Sequence, residues 1–162
     1  MHVRRATPAD ASAIRALAGD ATAQIYDQVQ ASDAWLPALS LVALGPDGQI
    51  AGHVAGTRGS LGPAPALALA PPAVHPGQRG HGVGTALMHA ILGAADALGE
   101  PLAAITGNPA SYYTRFGVQP AAELGIDPPK PDWERYFLVR PLTGYTPALH
   151  GTFSYPRPFT SG

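Results

Sequence analysis

Two short stretches carry residues whose types and spacing can do chemistry. The first is Arg79-Gly80-His81-Gly82-Val83-Gly84. An apolar segment ending Ala73-Val74-His75-Pro76 leads into it, and Val83, Leu87, Ile91, Ala94 and Leu98 follow at helical spacing. A glycine-rich turn between a strand and a helix aims several backbone N–H groups at one point. That point lies at the positive end of the helix dipole and suits a pyrophosphate. The three glycines lack Cβ atoms, so phosphate oxygens can come close to the main chain. The second stretch is Ser111-Tyr112-Tyr113-Thr114-Arg115-Phe116-Gly117-Val118, which offers two phenols. Tyr112 and Phe116 share a face at helical spacing, which assigns Tyr112 to packing.

Two familiar phosphate loops do not match. A P-loop ends in Gly-Lys-Ser/Thr, but here Gly84 is followed by Thr85-Ala86 and the single lysine is Lys130. The dinucleotide pattern G-x-G-x-x-G begun at Gly80 needs glycine at position 85, which is threonine. The pattern that is met is Arg/Gln-x-x-Gly-x-Gly/Ala, by Arg79, Gly82 and Gly84. On this stretch, and on Ser111 to Val118, the sequence resembles the GNAT superfamily of acyl-CoA-dependent N-acyltransferases. Six residues alone also fit an ordinary glycine-rich turn between strand and helix, so the elements around them carry the distinction.

Those elements are legible from local signals. Thr7-Pro8-Ala9-Asp10 starts a helix with a cap, a first-position proline and a capping box. Ala11, Ile14, Leu17 and Ala18 line one face of it and Gly19 ends it. A second helix is expected from Ala21 to about Trp35, before Pro37. Leu41 to Leu44 and Ile50 to Thr57 read as strands joined by the hairpin turn Gly45-Pro46-Asp47-Gly48. Leu67 to Val74 reads as the next strand, its ladder broken at Pro71-Pro72 by a bulge or edge. The helix from Val83 stops at Gly99 before Pro101, and Leu102 to Thr106 is a strand parallel to the previous one. A short helix over Pro109 to Phe116 and strands near Val118 to Ala122 and Arg135 to Val139 follow. Thr152 to Tyr155 is a β-like patch in a Pro/Gly-rich tail.

This order is also the GNAT order, and the resemblance extends over about residues 3 to 140. It implies an α/β fold: a mixed, mostly antiparallel sheet with a splayed parallel strand pair forming the acyl-CoA cleft, flanked by about four helices. Residues 1–140 would be the acyl-CoA-binding domain and 141–162 a C-terminal extension. It implies acetyl-CoA as acyl donor, with its pyrophosphate on the amides of Gly80, His81, Gly82, Val83, Gly84 and Thr85 beside Arg79. Ala73 and Val74 align with the residues that pair with the pantetheine arm. Asn108 stands where the family often has a polar residue touching pantetheine, and it is equally placed to cap the helix before Pro109. His75 and His81 border the loop, as phosphate partners or as solvent-facing residues. Tyr113, four residues before Gly117, matches the tyrosine that protonates the departing thiolate.

The same comparison exposes two departures. Family members often carry a base carboxylate on the strand matching Leu67 to Val74, and that strand here has none. Glu123, Glu134, Asp27 and Asp33 are within conceivable reach, as is a water relay, and no base is named. Pro72 falls where a backbone N–H usually faces the thioester carbonyl, and proline has no N–H. Loss of one oxyanion donor elsewhere costs about 2.7–4 kcal/mol of barrier. The reading is therefore an acetyl-CoA-dependent N-acetyltransferase acting on a small-molecule or peptide amine by direct attack in a ternary complex. The alternative is an acyl-CoA-binding module or sensor with weak or no turnover. In the family the acceptor is set by the two N-terminal helices and the cleft loops, here about Gln24 to Leu39 and Gly59 to Pro65.

Composition narrows the alternatives. The 162 residues suffice for one core, and 46% hydrophobic against 13% charged residues indicates a globular chain. A formal charge of −1 with no basic run argues against nucleic acid as partner. Absence of cysteine removes disulfides, thiolate zinc sites and a cysteine acyl-enzyme. The six histidines contain no His-x-x-x-His pair, so no metal is expected. A polar N-terminus and the lack of an 18-residue apolar run predict a cytoplasmic protein with no membrane partner. Relatives commonly dimerise, which makes a homodimer an expectation of the resemblance alone.

Overall fold

The computed structural model describes residues 1–107 and 110–157. β1 (His2–Arg5) leads through Thr7 into a single 3₁₀ turn over Pro8–Asp10 and then α1 (Ala11–Ala18). The Asp10 carboxylate accepts hydrogen bonds from the Thr7 N–H at 2.7 Å and from Arg4 at 2.8 Å. These contacts, the Arg4 hydrogen bond foremost, hold its pKa well below the usual carboxylate range. α1 is shallowly seated: Ile14, Leu17 and Ala18 are half-buried, while Ala11, expected on the inner face, is exposed.

α2 (Asp20–Gln30) is shorter than expected. The Ser32 hydroxyl donates to the Val29 carbonyl and accepts from the Ala34 N–H, folding the chain into a turn. Trp35 therefore begins β2 (Trp35–Leu44) instead of ending a helix. Pro37 is tolerated because the ladder is irregular between Trp35 and Ser40, where a missing N–H breaks nothing.

β3 (Ile50–Leu61) is the central strand, paired antiparallel to β2 on one side. On the other side it pairs with β4 (Ala64–Leu69) and then β5 (Ala73–Val74). The segment Gly59 to Pro65, expected as a cleft loop, is thus the turn of the β3–β4 hairpin. α3 (Val83–Ala97) crosses over to β6 (Leu102–Thr106), which runs parallel to β4. α4 (Ala110–Tyr113) follows, then β7 (Gln119–Pro120), β8 (Ile126–Asp127), β9 (Phe137–Pro141) and β10 (Gly151–Ser154). The main sheet runs β1-β2-β3-β4-β6-β9-β7, antiparallel except for the β4–β6 pair. This is the mixed α/β architecture that the sequence resemblance implied.

Each face of the sheet has its own core. On one, Leu87, Met88 and Ile91 of α3 pack with Leu41, Val54, Leu67, Ile105 and Phe116. On the other, Leu61, Leu102 and Phe137 are covered by Phe153 of β10. β10 pairs with the end of β3 (Phe153 with Leu61) and runs parallel to β8. No helix among the described residues is long and apolar enough to cross a membrane.

Candidate active site

The glycine-rich stretch forms a compact turn between β5 and α3. Pro76–Gln78 make one 3₁₀ turn, in which His75 Nδ1 accepts the Gly77 N–H at 3.1 Å. Arg79 is extended, and Gly80 and Gly82 both sit at φ 81°. A Cβ on either would meet nothing within 4 Å, so the demand for glycine there is conformational. Gly82 caps α3, and the Ala86 N–H is the one that reaches its carbonyl. The amides of Val83, Gly84 and Thr85 thus precede the helix's first i→i−4 bond and face outward at the positive end of a 15-residue helix. Arg79, Gly80, His81 and Gly82 are exposed. The Val83 side chain turns the other way, into the core, filling the space above Gly52.

Beside this turn the sheet parts. The β4–β6 pairing ends at Leu69 and Ile105, after which β5 pairs with β3 alone. Between Leu69 and Ala73 the chain spends Ala70, Pro71 and Pro72 against Val54 and Ala55 of β3, a bulge of one residue. The expected break at the prolines is therefore where the two short strands separate. The His75 N–H bonds the Ala51 carbonyl at 2.7 Å, and Ala73 stands opposite His53. By the alternation of an antiparallel ladder, the N–H and C=O of Val74 then face the cleft. Neither Pro71 nor Pro72 can offer an N–H to it.

The two tyrosines close the opposite wall. α4 and a 3₁₀ turn (Thr114–Phe116), stopped by Gly117 at φ 75°, hold them. Tyr113 is 7% exposed, its ring edge-on to Tyr112 with centroids 5.0 Å apart. Burial first, and then the neighbouring Tyr112, raise its pKa above the usual phenol value. Tyr112 packs on Phe116 at 5.7 Å, and a Cβ on Gly84 would lie 3.5 Å from its hydroxyl. The residue assigned to packing thus also carries its hydroxyl to the first turn of α3. Asn108 lies outside the described residues.

Gly107 was not singled out in the sequence, yet the Tyr113 ring rests against it. A Cβ there would come within 2.4 Å of the ring. Gly107→Ala is expected to lower stability by about 1–3 kcal/mol through overpacking, read by urea denaturation. An unchanged midpoint would show that the ring moves aside freely.

On the other face of the sheet, α1, α2, β2 and β3 enclose a cavity of about 430 Å³. Its inner end holds His53 and Ser40, both 3% exposed, with His53 Nε2 and Ser40 Oγ 3.0 Å apart. Burial pulls the His53 pKa down to about 4, so the imidazole is neutral at pH 7. Tyr26 stands edge-on to His53 at 5.9 Å and to Trp35 at 6.4 Å. Arg15 and Asp27 pair across the mouth. Of the carboxylates considered as bases, Asp27 is held by Arg15, and Asp33, Glu123 and Glu134 are exposed. The sequence signal for His53 was a histidine inside an apolar strand. The hairpin register sets it against Val42, which brings Ser40 diagonally beside it. Among the described residues no group of three or more His, Asp or Glu is placed to hold a metal.

Comparison with known proteins adds the following. A family model described as the Acetyltransferase (GNAT) domain matches residues 2–121. In structure the chain is similar to a GNAT family N-acetyltransferase (YhbS) from Escherichia coli in complex with CoA. That likeness has 27% identity over 98% of this chain and 91% of that one, with a TM-score of 0.89. It is also similar to a GNAT family acetyltransferase from Brucella melitensis in complex with acetyl-CoA, 28% identical over 98% of this chain and 97% of that one, TM-score 0.77. No curated protein matches in sequence.

Proposed function

Since the chain belongs to the GNAT acetyltransferase family, we propose that it transfers an acetyl group from acetyl-CoA to the amine of a small molecule or peptide, by direct attack within a ternary complex. The observation that carries this reading is the juxtaposition of three features. They are the open amides at the start of α3, the parting of β4 from β6, and the Tyr112–Tyr113 wall above them. The two structural relatives named above were solved with CoA and acetyl-CoA, which supports the same donor here.

In this reading the amides from Gly80 to Thr85, with Arg79 and His81 at the rim, hold the pyrophosphate. The free polar edge of Val74, next to Ala73, pairs with the pantetheine arm, and Asn108 is proposed to touch it. Acetyl-CoA supplies an activated acyl group as a thioester. Tyr113 supplies the proton that the sulfur needs on leaving. In water a phenol of pKa ~10 gives a proton to a thiolate of pKa ~8.5 at a cost of roughly 2 kcal/mol. A buried thiolate is itself destabilised, which offsets that gap.

A second reading, an acyl-CoA-binding module with little turnover, is favoured by Pro71 and Pro72, which leave the bulge without an N–H for the developing oxyanion. Both readings require acetyl-CoA to bind. At 100-fold over Kd a ligand adds about 2.7 kcal/mol, or roughly 5–11 °C of melting temperature for a chain of this size. A thermal-shift titration with acetyl-CoA and CoA is expected to show that rise. No shift at millimolar ligand would dismiss both readings, and thiol release with an amine panel separates them. The lack of cysteine keeps the protein itself silent in such an assay.

A further inference from the structure

We propose that the cavity beneath α1 and α2 receives the acceptor, and that this acceptor is an amine uncharged at neutral pH, an arylamine above all, and not an alkylammonium. The inference rests on the acetyltransferase reading and narrows its substrate.

Charge is the first argument. The cavity lining contains one acid and one base, Asp27 and Arg15, and each neutralises the other at the mouth. Deeper in, the polar groups are the uncharged Ser40 and His53. An ammonium carried to that depth would lose its water and meet no counter-charge, which disfavours its binding. The rings of Tyr26 and Trp35 would return only part of that loss through cation–π attraction, because neither carries a counter-charge. His53 reports the same preference: burial at this depth disfavours the charged form of a basic nitrogen.

Shape is the second. Tyr26 and Trp35 form aromatic walls, and Ile14, Ala23 and Pro37 complete an apolar lining. A cavity of about 430 Å³ accommodates a flat molecule of one or two rings.

Chemistry is the third. Ala73 lies opposite His53 in the ladder, so their side chains share a face, and α1 touches β5. The inner end of the cavity is therefore one strand from the cleft edge at Val74. An alkylamine of pKa ~10.4 is neutral only about once in 2,500 at pH 7 and needs a base before it can attack. No carboxylate lies between Ala64 and Val74. An arylamine, its lone pair delocalised into the ring, is already neutral and requires none. Its nitrogen forms the C–N bond as the C–S bond breaks. The sulfur leaves with the proton from Tyr113, and the surplus proton of the nitrogen returns to the Tyr113 phenolate through water in the cleft.

The test is thiol release from acetyl-CoA at pH 7 with aniline, benzylamine and cyclohexylamine. It is paired with quenching of tryptophan fluorescence by each amine alone, in the wild type and in Trp35→Phe. Aniline should exceed both alkylamines by about tenfold or more in kcat/KM, although it is the weaker nucleophile. It should quench Trp35, an effect that Trp35→Phe abolishes. Equal or faster turnover of benzylamine or cyclohexylamine would overturn the inference and leave the acetyltransferase reading standing. If acetyl-CoA produces no thermal shift, that reading fails on its own, and quenching decides the cavity. Trp35-dependent quenching by aniline alone supports the neutral-amine pocket, and its absence, or quenching by the alkylamines, overturns it.

Discussion

Replacing Tyr113 by phenylalanine is expected to lower kcat about a hundredfold or more while leaving the KM for acetyl-CoA nearly unchanged. A positioned general acid contributes typically 10²–10⁴-fold, and this substitution removes one oxygen and little else. The ring would keep its seat against Gly107 and its edge contact with Tyr112, so the fold should tolerate the change. Burial holds the phenol protonated at neutral pH, which is the state an acid must be in. Tyr112→Phe is the matched control. Its hydroxyl reaches the first turn of α3, so its loss should raise the KM for acetyl-CoA and spare kcat. Steady-state kinetics on the two variants decides. A large kcat loss in Tyr112→Phe with none in Tyr113→Phe would reassign the acid to Tyr112.

The second large effect is on stability and comes from His53. Below about pH 6.5 the unfolded chain protonates this imidazole, whereas the folded chain refuses the proton until about pH 4. Through that window the unfolded state binds more protons, so stability falls as the pH drops. The loss reaches about 3 kcal/mol once both states are protonated, and the contribution is fully present above pH 6.5. Asp10 acts lower down, because its depressed pKa leaves its contribution intact until the pH falls below about 3.9. Urea unfolding between pH 7 and 4.5 should therefore show a slope in the wild type that flattens in His53→Gln, which retains a partner for Ser40 without the titration. Parallel slopes in the two proteins would mean that His53 does not titrate abnormally.

What was legible in the sequence was what local chemistry controls. The Gly82 cap, the α3 stripe from Val83 and the stop at Gly99 are backbone requirements and burial periods that neighbouring residues specify. The parallel course of β6 follows from the handedness of the crossover. The errors fell where distant contacts decide. Trp35 sits in a segment that a helix pattern fits, but pairing with Thr57 draws it into β2. Gly59 to Pro65 has the composition of a loop, yet its backbone completes the β3–β4 hairpin. Gly107 carries no motif, because its role is to leave room for a ring six positions further along the chain. His53 and Ser40 meet only once the hairpin register is fixed, so the cavity they end could not be read from either residue alone.

Among the described residues β3 is held by four strands drawn from very different distances along the chain. β2 and β4 reach it through short turns, whereas β10 brings Phe153 back to Leu61 across most of the molecule. Contacts of such separation form late, because the loop entropy is lost before the contact is gained. During synthesis the hairpins around β3 and the α3 core can assemble while the β10 segment is still within the ribosome. The face bearing Leu61, Leu102 and Phe137 stays uncovered until Phe153 emerges. That interval leaves apolar surface of the nascent chain open to aggregation, and slow translation after Pro141 would prolong it.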